Sequence, residues 1–252
     1  MRLAVWPVGP ARALAAALAD VVAVTFEVEP NAARAALDEG RADLALVPTL
    51  DVLRGHEGLE VVPGVALAGE ASPRRTLVVG SALDAIESIA FDPRDQQEAL
   101  LTQLVLREHY GTQATFALAA PDEPLADVLS RASAALVDPA LDRPEGTFAL
   151  DPGREWTDLT LRPYPWGLVA APEGTLSAED ARRIRAAVQA FTEAEPPDTL
   201  RLDGVVAYQL TLDGYAMDGL DQAAEYFFET GTLTEVPPVP FVEIPEPDPT
   251  DG

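Results

Sequence analysis

The sequence predicts an α/β protein with two lobes, two mixed or parallel sheets and a ligand cleft between them. The first half of the chain alternates short apolar strand segments with helical segments, the pattern of a parallel sheet with helical crossovers. A second α/β run follows, and the chain then returns through a long amphipathic helix. The 252 residues, of which 48% are hydrophobic, are enough for a core in each of two lobes.

The predicted elements follow from hydrophobic periodicity and from residues that begin helices. Strand segments are rich in β-branched residues, and the third is apolar throughout, as expected of a strand buried on both faces. Asn31 is expected to cap the second helix. Asp95 with Glu98, and Ser177 with Asp180, have the spacing that caps later helices. The predicted strands are 3–6, 21–28, 42–47, 59–67, 76–79, 86–91, 115–118, 134–137 and 168–171, and the predicted helices are 11–18, 31–40, 95–109, 124–131, 177–194, 199–210 and 220–230.

The two lobes are predicted to be discontinuous in sequence. Lobe one is expected to contain residues 1–80 and 172–252, and lobe two residues 81–171, with crossings near Ser81 and near 166–171. A ligand would then bind at the carboxyl ends of the strands. Residues 237–252 form a proline-rich, acidic tail, and we expect its end, 246–252, to be disordered.

The composition argues against several classes of function. The chain has no cysteine, so disulfides and thiolate metal sites are impossible. It has 42 acidic and 17 basic residues, all of the latter arginine, and its formal net charge of −25 repels nucleic acid and anionic membranes. Two causes fit this composition: a high-GC genome, which replaces lysine with arginine, and a salt-rich cytoplasm, in which screening makes a dense carboxylate surface tolerable. Without a secretory signal or an apolar run of about 20 residues, a cytoplasmic location is expected.

Motifs for nucleotide binding, zinc binding and serine hydrolysis are also missing. The two histidines are predicted to be structural, His56 in an exposed loop and His109 at the end of a helix, where a cation favours the helix dipole. We therefore expect no metal site and no dinucleotide or P-loop site. A cleft built from loops and helix N-termini favours a small anionic organic ligand. A monomer and a homodimer are both compatible with the sequence.

An ordered set of segments carries a family resemblance. Residues 42–51, ADLALVPTLD, form a buried strand that ends in a hydroxyl residue and, soon after, an acid. The most specific segments are LDPGREW at 150–156 and LRPYPW at 161–166. Together with 75–79, 92–101, 134–141, 219–220, 227–228 and 239–241, they resemble the futalosine-pathway chorismate dehydratases of menaquinone biosynthesis.

The resemblance implies a type 2 periplasmic-binding-protein-like fold and a cofactor-independent carbon–oxygen lyase that removes water from chorismate. Catalysis then needs mainly a clamp for the substrate and an acid–base group. The resemblance suggests Asp51 and Asp138 as the acid–base candidates. The substrate-binding candidates are Pro7, Gly9, Thr49, Arg75, Thr76, Gln96, Gln97 and Trp166.

The chain differs from the family pattern at several of these positions. Pro10 replaces an asparagine after the first strand, Pro48 replaces the first of two hydroxyl residues, and Gln96-Gln97 replace a Thr-Ser pair. An aspartate cap at position 95 would also place negative charge where an anion should dock.

Two other functions fit the same fold. One is a non-catalytic protein that binds a small carboxylate through Arg75, since arginine can grip a carboxylate with two hydrogen bonds. The other is a later, naphthoate-forming enzyme of the same pathway. The single residues also have structural explanations: a surface ion pair for Arg75, exposed first-turn positions for Gln96 and Gln97, and core packing for Trp166.

Overall fold

The computed structural model describes residues 1–55, 58–80, 82–121 and 123–245. The expected loop around His56, the crossing point at Ser81 and the expected disorder of 246–252 therefore lie outside the described residues. The strands are β1 (Arg2–Val5), β2 (Ala23–Phe26), β3 (Leu44–Pro48), β4 (Leu59–Gly69), β5 (Thr76–Val79), β6 (Ser88–Phe91), β7 (Thr115–Leu118), β8 (Ala134–Val137), β9 (Phe148–Leu150), β10 (Tyr164–Pro172), β11 (Arg201–Leu202), β12 (Val205–Val206) and β13 (Tyr208–Thr211). The α-helices are α1 (Gly9–Ala17), α2 (Pro30–Asp38), α3 (Thr49–Leu53), α4 (Gln96–Tyr110), α5 (Leu125–Leu129), α6 (Pro152–Thr160), α7 (Ala178–Thr192) and α8 (Gly214–Glu229).

The chain divides into two compact units. Unit 1 contains residues 1–68, 167–214 and the described part of the segment from Val236, and unit 2 contains residues 69–166 and 215–235. These bounds differ from the predicted lobes: residues 69–80 and 215–235 belong to unit 2, and residues 167–171 belong to unit 1. The reason is pairing and packing: β5 lies between β8 and β9. In α8, Gly219 approaches Pro163 so closely that an added Cβ would lie 2.2 Å from its carbonyl oxygen.

Unit 1 is built on a six-stranded mixed sheet with the order β13-β4-β10-β3-β1-β2. β1 is parallel to β2 and β3, and β10 runs antiparallel to β3. Every residue of β3 is buried, as its apolar sequence predicts. Gly167 of β10 lies against Trp6, where a Cβ would come within 2.9 Å of the indole ring. The Trp6 indole N–H donates to the Leu46 carbonyl oxygen at 2.7 Å, which ties the end of β1 to β3.

The segment after α8 is held against β4. Val61 pairs with Phe241 in a short parallel bridge. The Val61 N–H donates to the Pro240 carbonyl oxygen at 2.7 Å, and the Val242 N–H donates to the Val61 carbonyl oxygen at 3.0 Å. Residues 240–242 therefore cover part of β4 in unit 1.

The predicted helix 199–210 is wrong. After a short 3-10 turn, this segment forms the β11–β12 hairpin and then β13. Leu202 and Val205 face each other across the turn residues Asp203 and Gly204, whose φ angles are 53° and 81°. Two positive φ angles in a two-residue loop give a type I′ turn, which favours an antiparallel hairpin. The Asp-Gly dipeptide followed by two valines was the overlooked signal.

Unit 2 is built on a five-stranded mixed sheet with the order β7-β6-β8-β5-β9. β6 is parallel to β7 and β8, whereas β5 is antiparallel to β8 and β9. Both faces of this sheet are covered. Leu77 and Ile89 belong to the core cluster that contains buried residues of α4. Val78 and Ala90 belong to the cluster that contains buried residues of α5.

The predicted helix caps had mixed outcomes. Ser177 caps α7 as predicted, its hydroxyl accepting the N–H three residues on at 3.1 Å. The Asn31 prediction is wrong, because α2 begins one residue earlier and Glu29 holds the cap position. Asp95 does precede α4, but its side chain makes no capping hydrogen bond. Its φ of −102° and ψ of 30° are not the extended backbone typical of a capping residue.

Candidate functional site

The predicted site residues of unit 1 follow two neighbouring strands. Pro7 comes after β1 and Thr49 after β3, and because these strands are parallel both residues lie at the same edge of the sheet. Pro7 and Gly9 are exposed, and Gly9 is the first residue of α1. Asp51 lies half-buried in the first turn of α3. Thr49 and Asp51 thus place a hydroxyl and a carboxylate two residues apart at the start of α3.

Thr49 is the most unusual of these residues. Its side chain is fully buried at the start of α3. Its Oγ1 atom has no hydrogen-bond partner in the part of the chain that the structure describes. Leaving a buried hydroxyl unpaired costs about 1–3 kcal/mol, so such atoms are rare in native proteins. Where one occurs, a ligand or a functional role is a common explanation. Thr49 is a candidate ligand contact on this ground.

Unit 2 contains a cavity of about 290 Å³ at the carboxyl ends of β6, β7 and β8. Two of the predicted residues, Arg75 and Asp138, line it. Among the described residues, its charged lining consists of four carboxylates and two guanidinium groups, those of Asp92, Asp95, Glu123, Asp138, Arg75 and Arg94. This lining is acidic overall, which disfavours a ligand with two carboxylates.

Arg75 is held by contacts within unit 2. Its Nε donates to Asp95 Oδ2 at 2.6 Å, and its Nη1 donates to the Arg74 carbonyl oxygen at 3.2 Å. Burial acts to lower the pKa of the Arg75 guanidinium, but the hydrogen bond to Asp95 and nearby carboxylates leave that pKa raised. Arg75 thus has a partly buried ion pair rather than the surface pair considered above.

Asp95 also binds the neighbouring arginine. Its side chain is almost completely buried, and its other carboxylate oxygen accepts a hydrogen bond from Arg74 Nη2. The prediction that Asp95 caps α4 is wrong for this reason as well, since both oxygens are occupied by guanidinium groups. The negative charge at this helix start is therefore paired and does not stand alone in the path of an anion.

Thr76 and Asp138 make local hydrogen bonds. The Thr76 hydroxyl donates to the Leu150 carbonyl oxygen at 3.1 Å, joining β5 to β9. Asp138 is exposed just beyond β8, and its Oδ1 accepts the Ala140 N–H at 2.8 Å. Of these two residues, Asp138 lines the cavity of unit 2 and Thr76 does not.

The two glutamines that open α4 have different surroundings. Gln96 is exposed, whereas Gln97 is buried. Gln97 Nε2 donates to the Trp166 carbonyl oxygen at 2.8 Å, which brings these two predicted residues together inside unit 2. Trp166 itself is fully buried. The reading of Gln97 as an exposed first-turn residue is therefore wrong.

Unit 2 also contains a group of buried residues linked by pairwise contacts, which we call the buried cluster. Arg74 Nε lies 3.6 Å from Glu98 Oε1, and both side chains are more than nine-tenths buried. The rings of Tyr164 and Trp166 have centroids 4.7 Å apart, and those of Tyr164 and Trp156 5.4 Å apart. The buried cluster consists of Arg74, Glu98, Trp156, Tyr164 and Trp166.

The sequence interpretation assigned no role to Arg74, Glu98 and Tyr164, which the structure buries in unit 2. Available signals were the Arg-Arg doublet before β5 and the aromatic residues on either side of Arg162-Pro163. Burial raises the pKa of the Glu98 carboxyl, Arg74 acts to lower it, and the charge of Asp95 adds to the rise. Burial also raises the pKa of the Tyr164 hydroxyl well above its ordinary value, with a further contribution from Glu98.

His109 lies near the end of α4, and its side chain contacts Glu155 of α6. Its Nδ1 is 3.2 Å from Glu155 Oε2, which also accepts a hydrogen bond from the Tyr110 hydroxyl at 2.6 Å. Burial and this bond raise the pKa of Tyr110 to about 12. The contacts join α4 to α6. Within the described ranges, no group of three or more metal-binding side chains occurs, and no helix is long and apolar enough to cross a membrane.

The chain is similar to several solved structures. Protein AF1704 from Archaeoglobus fulgidus matches with a TM-score of 0.65 and 14% identity, over 92% of this chain and 98% of that one. The alkanesulfonate-binding protein SsuA from Xanthomonas axonopodis pv. citri, bound to MOPS, matches with a TM-score of 0.61 and 15% identity, over 95% and 96%. The periplasmic aliphatic sulphonate binding protein SsuA from Escherichia coli matches with a TM-score of 0.55 and 14% identity, over 92% of this chain and 79% of that one. The fold is therefore periplasmic-binding-protein-like, as predicted.

Sequence comparison gives the family. No curated protein matches the chain significantly. The profile described as menaquinone biosynthesis matches residues 1–210, which is most of the chain and includes every predicted site residue. The ordered segments that suggested this pathway lie largely within the matched region. The chain belongs to the menaquinone biosynthesis family.

Proposed function

We propose that this protein is a hydro-lyase that removes water from chorismate, within the menaquinone biosynthesis role of its family. In this reaction a base takes a proton from the ring, the ring carbon–hydroxyl bond breaks, and the hydroxyl leaves as water. The ring becomes aromatic, which drives the reaction without an oxidant or reductant. The protein has to bind the acid, orient it and move one proton.

The observation that carries the proposal is the buried hydroxyl of Thr49. The family resemblance puts a substrate-binding hydroxyl at this position, and Oγ1 has no hydrogen-bond partner among the described residues. A substrate oxygen would satisfy this atom, and the resulting gain would offset the cost of burying it. Asp51, two residues further along α3, is the acid–base candidate on the same short helix. Asp138 is the candidate in unit 2.

A second candidate function is binding of a small acid without turnover. Two observations favour it. The carboxylate of the acid–base candidate Asp138 already accepts a backbone hydrogen bond. Pro10 and Pro48 replace two polar residues of the family pattern, so polar groups that the resemblance assigns to the substrate site are missing. Two of the similar structures are described as sulfonate-binding proteins, so the fold accommodates small organic anions in those proteins.

The test is incubation of the purified protein with chorismate at high salt, following the loss of diene absorbance and identifying the product by mass. The proposal expects an aromatic acid lighter than chorismate by one water. Thr49→Val keeps the shape of the side chain and should lower kcat/KM by about tenfold or more, the cost of one lost hydrogen bond to a charged or strongly polar group. Thr112→Val is the matched control, since Thr112 is also buried but donates to the Leu83 carbonyl oxygen.

The outcomes separate the two candidates. No conversion by folded wild-type protein contradicts the dehydratase. If a thermal-shift screen then detects binding of small carboxylates, the non-catalytic function replaces it. Conversion that is equally fast in Thr49→Val would keep the dehydratase and remove Thr49 from its site.

A further inference from the structure

Unit 2 contains a second cavity, of about 360 Å³, whose lining includes none of the residues that the sequence assigns to the site. It is larger than the 290 Å³ cavity at the carboxyl ends of β6, β7 and β8, and its volume is in the range of small-molecule sites. Its walls come from the second half of α4, the segment that leads into β7 and the residues that follow α8. We call it the threonine cavity, after four lining residues, Thr112, Thr115, Thr230 and Thr232.

The charge of the threonine cavity differs from that of the whole chain. The chain has 42 acidic and 17 basic residues, yet Arg107 is the one charged side chain among the described residues that line this cavity. Glu108 balances it, because Glu108 Oε1 lies 2.6 Å from Arg107 Nε and 2.5 Å from Nη2. A neutral ligand therefore meets no uncompensated charge here, whereas the net charge of −25 repels an anion.

Two of the threonine hydroxyls donate their protons to the backbone of unit 2. The Thr112 hydroxyl donates to the Leu83 carbonyl oxygen at 3.3 Å, and the Thr115 hydroxyl donates to the Glu87 carbonyl oxygen at 3.1 Å. A hydroxyl has one proton and two acceptor lone pairs. Once the proton is used, the oxygen can offer a ligand only an acceptor.

The other two hydroxyls form a short chain at the end of α8. The Thr230 hydroxyl donates to the Phe227 carbonyl oxygen at 3.1 Å. The hydroxyl oxygens of Thr230 and Thr232 are 3.0 Å apart. Because the single proton of Thr230 goes to Phe227, Thr232 is the donor in this pair. All four threonines of the cavity thus offer acceptor oxygens.

The remaining polar groups of the lining add one acceptor and several donors. Gln103 Nε2 donates to the Ala114 carbonyl oxygen at 2.8 Å, so Gln103 Oε1 is the part of that amide left for a ligand. Arg107 Nη1 takes no part in the contacts with Glu108, and the Gln113 amide carries two further N–H groups. The threonine cavity therefore combines many acceptors with a few donors.

The cavity also has an apolar wall on α4. Positions 100, 103, 104 and 107 lie on one face of this helix, because residues three and four apart are neighbours on a helix surface. Leu100 and Leu104 supply the apolar part of this face, between the polar side chains of the same face. Such a wall favours a ligand that has C–H groups as well as polar groups.

We propose that the threonine cavity is a binding site for a small neutral polyol with a ring, such as a monosaccharide. Each hydroxyl of such a ligand can donate to a threonine oxygen and accept from Arg107 or Gln113. The C–H groups of the ring can pack against Leu100 and Leu104. The volume of the cavity equals that of about twelve water molecules at roughly 30 Å³ each, enough for one sugar ring and some water.

The test is ligand-detected saturation-transfer NMR of the full chain with D-glucose and D-ribose. Their phosphates, glucose 6-phosphate and ribose 5-phosphate, are the control ligands, since they keep the ring and add negative charge. We expect saturable binding of at least one neutral sugar, with a Kd of about 1 mM or lower. Its phosphate should bind at least fivefold more weakly, because the chain is strongly acidic.

Two variants locate the binding. Thr230→Val removes one acceptor and should weaken sugar binding about fivefold, the effect of one neutral hydrogen bond. Leu100→Trp fills the cavity and should abolish binding. Thr192→Val is the matched control: the Thr192 hydroxyl also donates to a carbonyl oxygen three residues back, that of Gln189 at 2.9 Å, but Thr192 does not line the cavity. Its affinity should equal that of wild type.

Three results would overturn the inference. They are the absence of saturable binding of both neutral sugars, tighter binding of the phosphates than of the neutral sugars, and equal affinity in Thr230→Val, Leu100→Trp and Thr192→Val. Chorismate turnover should be unchanged in Thr230→Val, because no candidate residue of the proposed function lines the cavity. The inference and the proposed function can therefore fail separately.

Discussion

The paired arginines at Asp95 allow a quantitative prediction about stability. Asp95 is 1% exposed and is the common partner of Arg74 and Arg75, whose side chains are 7% and 22% exposed. Asp95→Asn keeps the size of the side chain and one acceptor oxygen but removes the charge. Both guanidinium groups then stay buried with less compensation. Breaking a buried ion pair costs about 3–5 kcal/mol, and we expect about 3 kcal/mol here because one hydrogen bond remains.

Urea denaturation followed by tryptophan fluorescence would measure this cost. A loss of about 3 kcal/mol is a large fraction of the roughly 5–15 kcal/mol that stabilises a typical domain, so the transition of unit 2 should shift clearly to lower urea. Trp156 and Trp166 report on unit 2, and Trp6 reports on unit 1.

Asp92→Asn is the matched control. Asp92 also pairs with an arginine, at 2.5 Å, but its partner Arg94 is 40% exposed. Because solvent screens the exposed Arg94 guanidinium, losing the Asp92 charge should cost less than losing the Asp95 charge, and this variant should unfold at higher urea than Asp95→Asn. The reasoning is refuted if Asp95→Asn costs less than about 1 kcal/mol, or if the two variants are destabilised equally.

Two further predictions concern packing and pH. Gly219→Ala should destabilise the protein, because the new Cβ would lie 2.2 Å from the Pro163 carbonyl oxygen. This clash outweighs the helix preference of alanine over glycine, about 1 kcal/mol. Thermal melting checks the prediction, and an unchanged or higher Tm contradicts it. The raised pKa of Glu98 means that its protonated form stabilises the folded state at low pH and that this contribution is lost as pH rises through the folded pKa. Glu98→Gln should therefore gain stability relative to wild type at pH 8 but not at pH 4, and an equal difference at both pH values argues against it.

Much of the fold could be read from local sequence. The apolar run of β3 predicted a strand buried on both faces, and Ser177 predicted the start of α7. The failed predictions have two causes. Either a local turn signal was outweighed by helical periodicity, or a residue distant in sequence determined the contact. The Asp203-Gly204 turn is such a local signal: the segment predicted as a helix forms a hairpin around it.

The candidate site was less predictable for a physical reason. A capping role for Asp95 was a sound local inference, but Arg74 and Arg75 compete for the same carboxylate and win because a charged donor binds it more strongly than a backbone amide. The sequence allowed both an exposed first-turn position and a ligand contact for Gln97, whereas the structure buries it against the distant Trp166 carbonyl oxygen. Sequence spacing gives no information on such partners.

The sequence by itself determined the alternation of strands and helices, the acidic surface without lysine and the family. These depend on residue type and order, which are local properties. Only the tertiary structure decided which residues of each unit are buried together: the unpaired Thr49 hydroxyl, the two arginines on Asp95 and the packed rings of Trp156, Tyr164 and Trp166. Whether a polar atom has a partner depends on groups brought together from distant parts of the chain, and packing within each unit sets that arrangement.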